Sequence, residues 1–272
     1  MERKDRIMRL LDGIQRKYIW DEEPVFCITS DIDWASEAVM SSYFDYILPM
    51  RRKPTLFVTH NSPLIEERFK EGLIDRGLHP NFMDGSSHGN SFREIADTCR
   101  AFAPESYGFR SHRAFDVTDI THMMHNDYGY KYVSNQITIM QPNVKPILHE
   151  SGLINYPVFF EDGTHLYNEL DLSVCLFDKY ITSPGVKILS FHPMNFVFNS
   201  PSYLYMRSIK DTLTREQFNN IDEHTIKRLA NKSKGIRDFI FDMIDMIEKN
   251  GYKWYTMNEL YDLVLGEKYA RT

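Results

Sequence analysis

Val25-Phe26-Cys27-Ile28-Thr29-Ser30-Asp31-Ile32-Asp33-Trp34 is the stretch on which the reading of this chain turns. Its first half is an apolar run that reads as a buried strand. Side chains two apart on an extended chain face the same side. Asp31 and Asp33, at the C-terminal end of that run, therefore share one space. Burying two such charges together is costly unless a cation or a shared proton offsets their repulsion. The pair marks a site.

Outward from this strand, strand-like and helix-like segments alternate. Further strands are expected at 54–60, 74–79, 106–111, 131–137, 155–160 and 186–192. Helical patterns fall between them at 62–71, 91–103 and 117–127. This rhythm indicates an α/β fold with a mostly parallel sheet. About seven strands suit an open sheet or a closed barrel, and spacing alone leaves both open. With no long Gly/Ser/Pro linker, one domain over 1–272 is expected, with an N-terminal helix within 1–20. A second long helix is expected at 222–249, with Ile236, Phe239, Ile240, Met243 and Ile247 as its apolar stripe. Its basic start (Lys227, Arg228, Lys232, Lys234, Arg237) reads as a solvated face, or as a contact to a phosphate-bearing substrate or anionic lipid.

Composition narrows the function classes. The chain has 272 residues, 42% of them hydrophobic, and a net charge of −6. That charge argues against a broad nucleic-acid footprint. No segment approaches the roughly 20 apolar residues that span a bilayer. The start, Met1-Glu2-Arg3-Lys4-Asp5-Arg6, does not read as a secretion signal. Three unpatterned cysteines suit a reducing compartment, so a cytoplasmic location is expected. Ile7, Leu10, Leu11, Ile14 and Tyr18 share one helical face. That helix either lies across the domain or rests on a membrane surface as a peripheral contact. No Gly-x-Gly-x-x-Gly or P-loop is present, so nucleotide hydrolysis has no support.

Groups able to do chemistry recur at the expected C-terminal strand ends: Asp31 and Asp33, His79, Arg110-Ser111-His112, Glu161-Asp162 and His192. In α/β folds that edge is where sites are built. One carboxylate and two imidazoles with open positions suit a catalytic divalent ion, or non-haem iron. His79 is the first imidazole candidate. His88, in the glycine-flanked loop Asp84-Gly85-Ser86-Ser87-His88-Gly89, is the second. Trp34, Phe82 and Phe196 are either sugar-stacking walls or core. His60 lines the mouth or packs behind it, and His165 is a candidate substrate contact. His122 and His125, three apart on a helix, read as solvated surface, with a shared metal as the alternative.

Ser30-Asp31-Ile32-Asp33-Trp34, Leu78-His79-Pro80-Asn81-Phe82 with Gly85-Ser86-Ser87-His88-Gly89, Arg110-Ser111-His112 and Phe191-His192-Pro193 resemble, in that order, the NodB-like polysaccharide deacetylases. Their WbmS-like branch, associated with bacterial surface polysaccharide, is the most similar. The resemblance runs from about Pro24 to Asn195 and less distinctly through Gly251–Leu260. It implies a distorted (β/α) barrel of about seven strands. It also implies hydrolysis of N-acetyl groups on sugars with a divalent metal, often zinc. By motif, Asp31 resembles the catalytic base, Asp33 the carboxylate ligand and His79 the first histidine ligand. Arg110 resembles the arginine that orients the base, and His192 the general acid. Asp162 is expected to hold His192, with Glu161 competing for that role. Trp34, His112 and His165 are the expected substrate contacts.

The sequence departs from the family pattern in places. The family's second ligand follows the first by three or four residues, where this chain has Phe82 and Met83; His88 is expected to substitute. The expected substrate is a sugar or glycan precursor, nucleotide-linked or lipid-linked, in surface polysaccharide or lipopolysaccharide biosynthesis. The alternatives are deformylation of a formamido sugar and a degenerate member that binds or scaffolds glycans.

Overall fold

The computed structural model describes residues 3–265. The opening apolar run forms β1 (Pro24–Asp31), buried throughout. The other strands are β2 (Thr55–Val58), β3 (Asp75–Leu78), β4 (Gly108–Phe109), β5 (Tyr132–Val133), β6 (Ile147–Leu148), β7 (Ile154–Asn155), β8 (Val158–Glu161), β9 (Gly185–Phe191) and β10 (Lys253–Trp254). Neighbours run β6-β7-β5-β4-β3-β2-β1-β9-β8, with β10 beside the first half of β1.

The sheet closes on itself. Pro157 lacks the N–H that would continue the ladder, so the segment expected at 155–160 appears as β7 and β8. Both halves still run parallel to one path, Tyr132 to Ile137, and β8 also pairs with β9. The result is a distorted (β/α) barrel of seven parallel strands, with β7 and β8 counted as one. The open-sheet alternative is thereby removed. The short β6, antiparallel to β7, and β10 stand outside the ring.

Alternation along β1 sorts its side chains. Phe26 and Ile28 join the larger core, against the helical layer. Val25 and Cys27 join a second cluster with Tyr132, Tyr156 and Ile188 inside the barrel. Leu10 and Trp20 from the N-terminal end and Leu260 and Val264 from the helix Met257–Leu265 complete that cluster. The N-terminal helix, Arg3–Ile14, thus turns Leu10 into the protein. Gly77 and Gly108 face inward where a Cβ would collide with the Phe57 and Tyr132 rings. Among the described residues no helix is long and apolar enough to cross a membrane.

One expected helix is corrected. Residues 222–249 form two helices, Glu223–Leu229 and Ile236–Lys249. Between them Asn231 Nδ2 reaches the carbonyls of Asn199, Ser233 and Lys234, and Gly235 packs on the Asn199 backbone. Those bonds hold the intervening chain in a turn and end the helical repeat.

Candidate metal centre and active site

At the C-terminal rim of the barrel, Asp33 Oδ1 lies 3.0 Å from His112 Nδ1 and 3.2 Å from His79 Nε2. The two imidazole nitrogens are 3.3 Å apart. Local backbone explains the convergence. Ile32 N–H still donates to Phe57 as β1 ends, and Asp33 and Trp34 then take left-handed conformations, φ 44° and 56°. Consecutive non-glycine residues there cost on the order of 1–3 kcal/mol each and cluster at functional sites. Thr59 Oγ1 accepts the Trp34 N–H and holds the turn. Beyond β3, the His79 N–H donates to Val58, the Arg110 N–H to Leu78 and the His112 N–H to Pro80. This zipper sets His112 beside His79.

The donor set fits a divalent ion. A tetrahedral zinc site with bonds of ~2.0–2.1 Å has ligand-to-ligand edges of about 3.3 Å, close to the three spacings here. Burial opposes charge on Asp33, but His112, His79 and His192 together hold its carboxyl well below the usual range. His79 is 1% exposed, and its Nδ1 has no hydrogen-bond partner among the described residues.

Beneath this cluster, Arg110 and Asp31 meet inside the barrel. Arg110 Nη1 donates to Asp31 Oδ1 at 2.8 Å and also reaches Thr29 and Ser190 hydroxyls. Its Nε and Nη2 donate to Ser134 O and Oγ. The buried guanidinium is thereby well supplied with acceptors, as a buried charge requires.

On the other flank, His192 Nδ1 is 2.6 Å from Asp162 Oδ1, and its backbone N–H donates to Asp162 Oδ2 at 2.8 Å. Glu161 Oε1 is 3.2 Å from the same ring nitrogen. His192 Nε2 points toward Asp33, 3.7 Å from Oδ2. Burial disfavours the imidazolium, yet Asp162, Glu161 and Asp33 raise its pKa well above the ordinary value. Burial in turn raises the Glu161 carboxyl.

Several expected residues lie elsewhere. His88 is not in the cluster: its Nε2 bonds Thr59 O at 2.8 Å and its Nδ1 accepts the Asn81 N–H at 3.1 Å. Both ring nitrogens are committed, and His112 occupies the place expected for it. His165 is not at the mouth either. Its ring is buried on Phe239, centroids 4.6 Å apart, with Nε2 bonded to Asp171 O. Phe82 and Phe196 are core, whereas Trp34 lines the cleft over the site. His60 lies behind, with Nδ1 against Thr59 Oγ1. His122 faces Glu150 at the surface, but His125 is buried, not solvated as expected, against Arg6 and the Tyr130 carbonyl, so the two do not converge. The signal for His112 was present: it stands two residues past Arg110 in the Arg-Ser-His run, the same spacing that singled out Asp31 and Asp33.

Comparison with known proteins agrees with this geometry. The profile of the WbmS-like polysaccharide deacetylases matches residues 28–209, most of the chain and every element of the rim just described. The chain belongs to this family. Among solved structures, one is similar at TM-score 0.71 and 26% identity, covering 81% of this polysaccharide deacetylase and 89% of its own chain. It is described as a polysaccharide deacetylase involved in O-antigen biosynthesis, from Bordetella bronchiseptica. A T48 deacetylase with substrate (TM-score 0.42, 12% identity, 90% and 94% coverage) is more distant. So is a peptidoglycan N-acetylglucosamine deacetylase bound to a naphthalenyl N-hydroxybenzamide (0.43, 10%, 87% and 92%). No curated protein sequence matches significantly.

Proposed function

We propose that this deacetylase uses a divalent ion, zinc by its donor set, to remove an N-acetyl group from a sugar during assembly of a bacterial surface polysaccharide. The convergence of Asp33 Oδ1, His79 Nε2 and His112 Nδ1 within 3.3 Å carries the reading. The Bordetella relative, described as acting in O-antigen biosynthesis, supports the pathway class. A cytoplasmic precursor is the substrate in this scheme.

A divalent ion held by Asp33, His79 and His112 would polarise the acyl carbonyl and acidify a water. Asp31 accepts the proton of the attacking water. Arg110 holds Asp31 Oδ1, which leaves Oδ2 for that proton. His192 Nε2 faces the reacting centre because Asp162 retains Nδ1–H, and it protonates the departing amine. Without that proton the amine is a very poor leaving group. Trp34 gives the sugar an apolar wall. Oriented groups of this kind remove much of the entropic barrier.

Acetate release from acetylated sugars by purified wild type, beside Asp33→Ala, tests the proposal. Release in the wild type that disappears in the variant is expected. Full turnover in Asp33→Ala would refute it, and formate release from an N-formylated sugar with no acetate release from the acetylated ones would redirect it to a formamido sugar.

A further inference from the structure

The cleft above the site, about 630 Å³, is charged unevenly. Asp33 and Glu161 lie on its floor beside His112 and His192. Its outer wall comes from the helices Tyr203–Thr212 and Arg215–Asn219, which contribute Arg207, Lys210 and Arg215. No other lysine or arginine among the described residues lines the cleft. In a chain of net charge −6, three cations on one wall are not a consequence of bulk composition. Asp211 accepts Arg207 Nε–H at 3.0 Å, in a pair more than half exposed on both sides. Such a pair is weak and exchangeable. The basic stretch read as a solvated face, or as a contact to phosphate or anionic lipid, lies outside the cleft: Lys227 pairs with Glu223, Lys234 with Asp242, and Arg237 donates to Val197 O.

A neutral glycan offers these cations nothing to neutralise. A phosphate ester does, and arginine engages it through paired N–H donors. Resting on the deacetylase reading of the same cleft, we propose that the sugar arrives as a phosphate or diphosphate ester. Its acylamino group lies at Asp33 and His112, and Arg207, Lys210 and Arg215 hold the phosphate. Met206, Leu213 and Phe218, on the same wall, meet whatever the phosphate carries beyond it.

Calorimetry with N-acetylglucosamine 1-phosphate and methyl N-acetylglucosaminide tests this on wild type and on the triple variant R207Q/K210Q/R215Q. The wild type is expected to bind the phosphate ester at least tenfold tighter, with the preference falling as salt rises. The triple variant is expected to lose that preference and to keep its affinity for the methyl glycoside. Its thermal melt checks folding, and Lys210→Gln alone replaces it if it fails to fold. Equal wild-type affinities, absent binding included, would overturn the proposal. So would a variant that keeps the preference, which is what simple chelation of a bound ion would give.

Acetate release from UDP-N-acetylglucosamine and from farnesyl-diphosphate-linked N-acetylglucosamine separates nucleotide from lipid sources. If neither yields acetate while the variant loses its phosphate preference, phosphate recognition stands and the deacetylase reading falls. If wild type deacetylates neutral chitotetraose with the same kcat/KM as the phosphate esters, the deacetylase reading stands and phosphate recognition falls.

Discussion

Replacing Arg110 by Met is the sharpest perturbation available inside the barrel. It removes every guanidinium contact to Asp31, Thr29, Ser134 and Ser190 while keeping an unbranched side chain. The Asp31 carboxylate, 9% exposed, then stands without its partner. Breaking one side of a buried pair costs about 3–5 kcal/mol. For a domain of this size that corresponds to an apparent melting shift on the order of 10 °C.

The loss should be specific to the pair, because neutralising the orphaned carboxylate removes the buried charge that Arg110 offsets. Adding Asp31→Asn to Arg110→Met should recover most of the loss, giving a coupling of roughly 2 kcal/mol or more in a double-mutant cycle. Thermal and urea denaturation of the four proteins measures this. A loss under about 1 kcal/mol, additive with Asp31→Asn, would refute the idea that a buried, well-satisfied ion pair organises the upper barrel.

Asp162→Asn should lower kcat by roughly 10²–10⁴ through loss of His192 orientation and proton delivery, with metal content unchanged; elemental analysis beside initial rates checks both halves. Lys187, buried over the Phe159 ring, has its pKa pushed down by burial to about 7. Because that folded value lies below the unfolded one, the unfolded chain binds more protons between pH 7 and about 10, and stability rises with pH across that window. Lys187→Met should therefore stabilise the protein at pH 7 by on the order of 1–4 kcal/mol, with the gain shrinking toward pH 10 in melts recorded across the range.

The strand that carries Asp31 was legible because an apolar run ending in two carboxylates has few other readings. The ring of seven was legible as segments from the residues themselves, and as a ring only through the family resemblance. Its closure depends on chain on both sides of Pro157 following one path beside Tyr132 to Ile137, a tertiary fact with no local signature. The second imidazole was misassigned for a similar reason. His88 sits in a glycine-flanked loop that promised reach, but the loop delivers it to Thr59 O and the Asn81 N–H. His112 follows a strand only two residues long, and Arg113 and Ala114 beyond it take positive φ. His165 neighbours Glu161 and Asp162 in sequence, but the short helix Asp162–Tyr167 rotates it inward among Phe160, Phe177 and Phe239. The cations of the outer wall have no signature in the sequence, because their helices carry no motif.

Metal content of three purified proteins bears most directly on the central claim. About one divalent ion per chain is expected in wild type and in His88→Gln, and almost none in His112→Ala. Retention of the ion by His112→Ala together with its loss from His88→Gln would contradict the proposed centre.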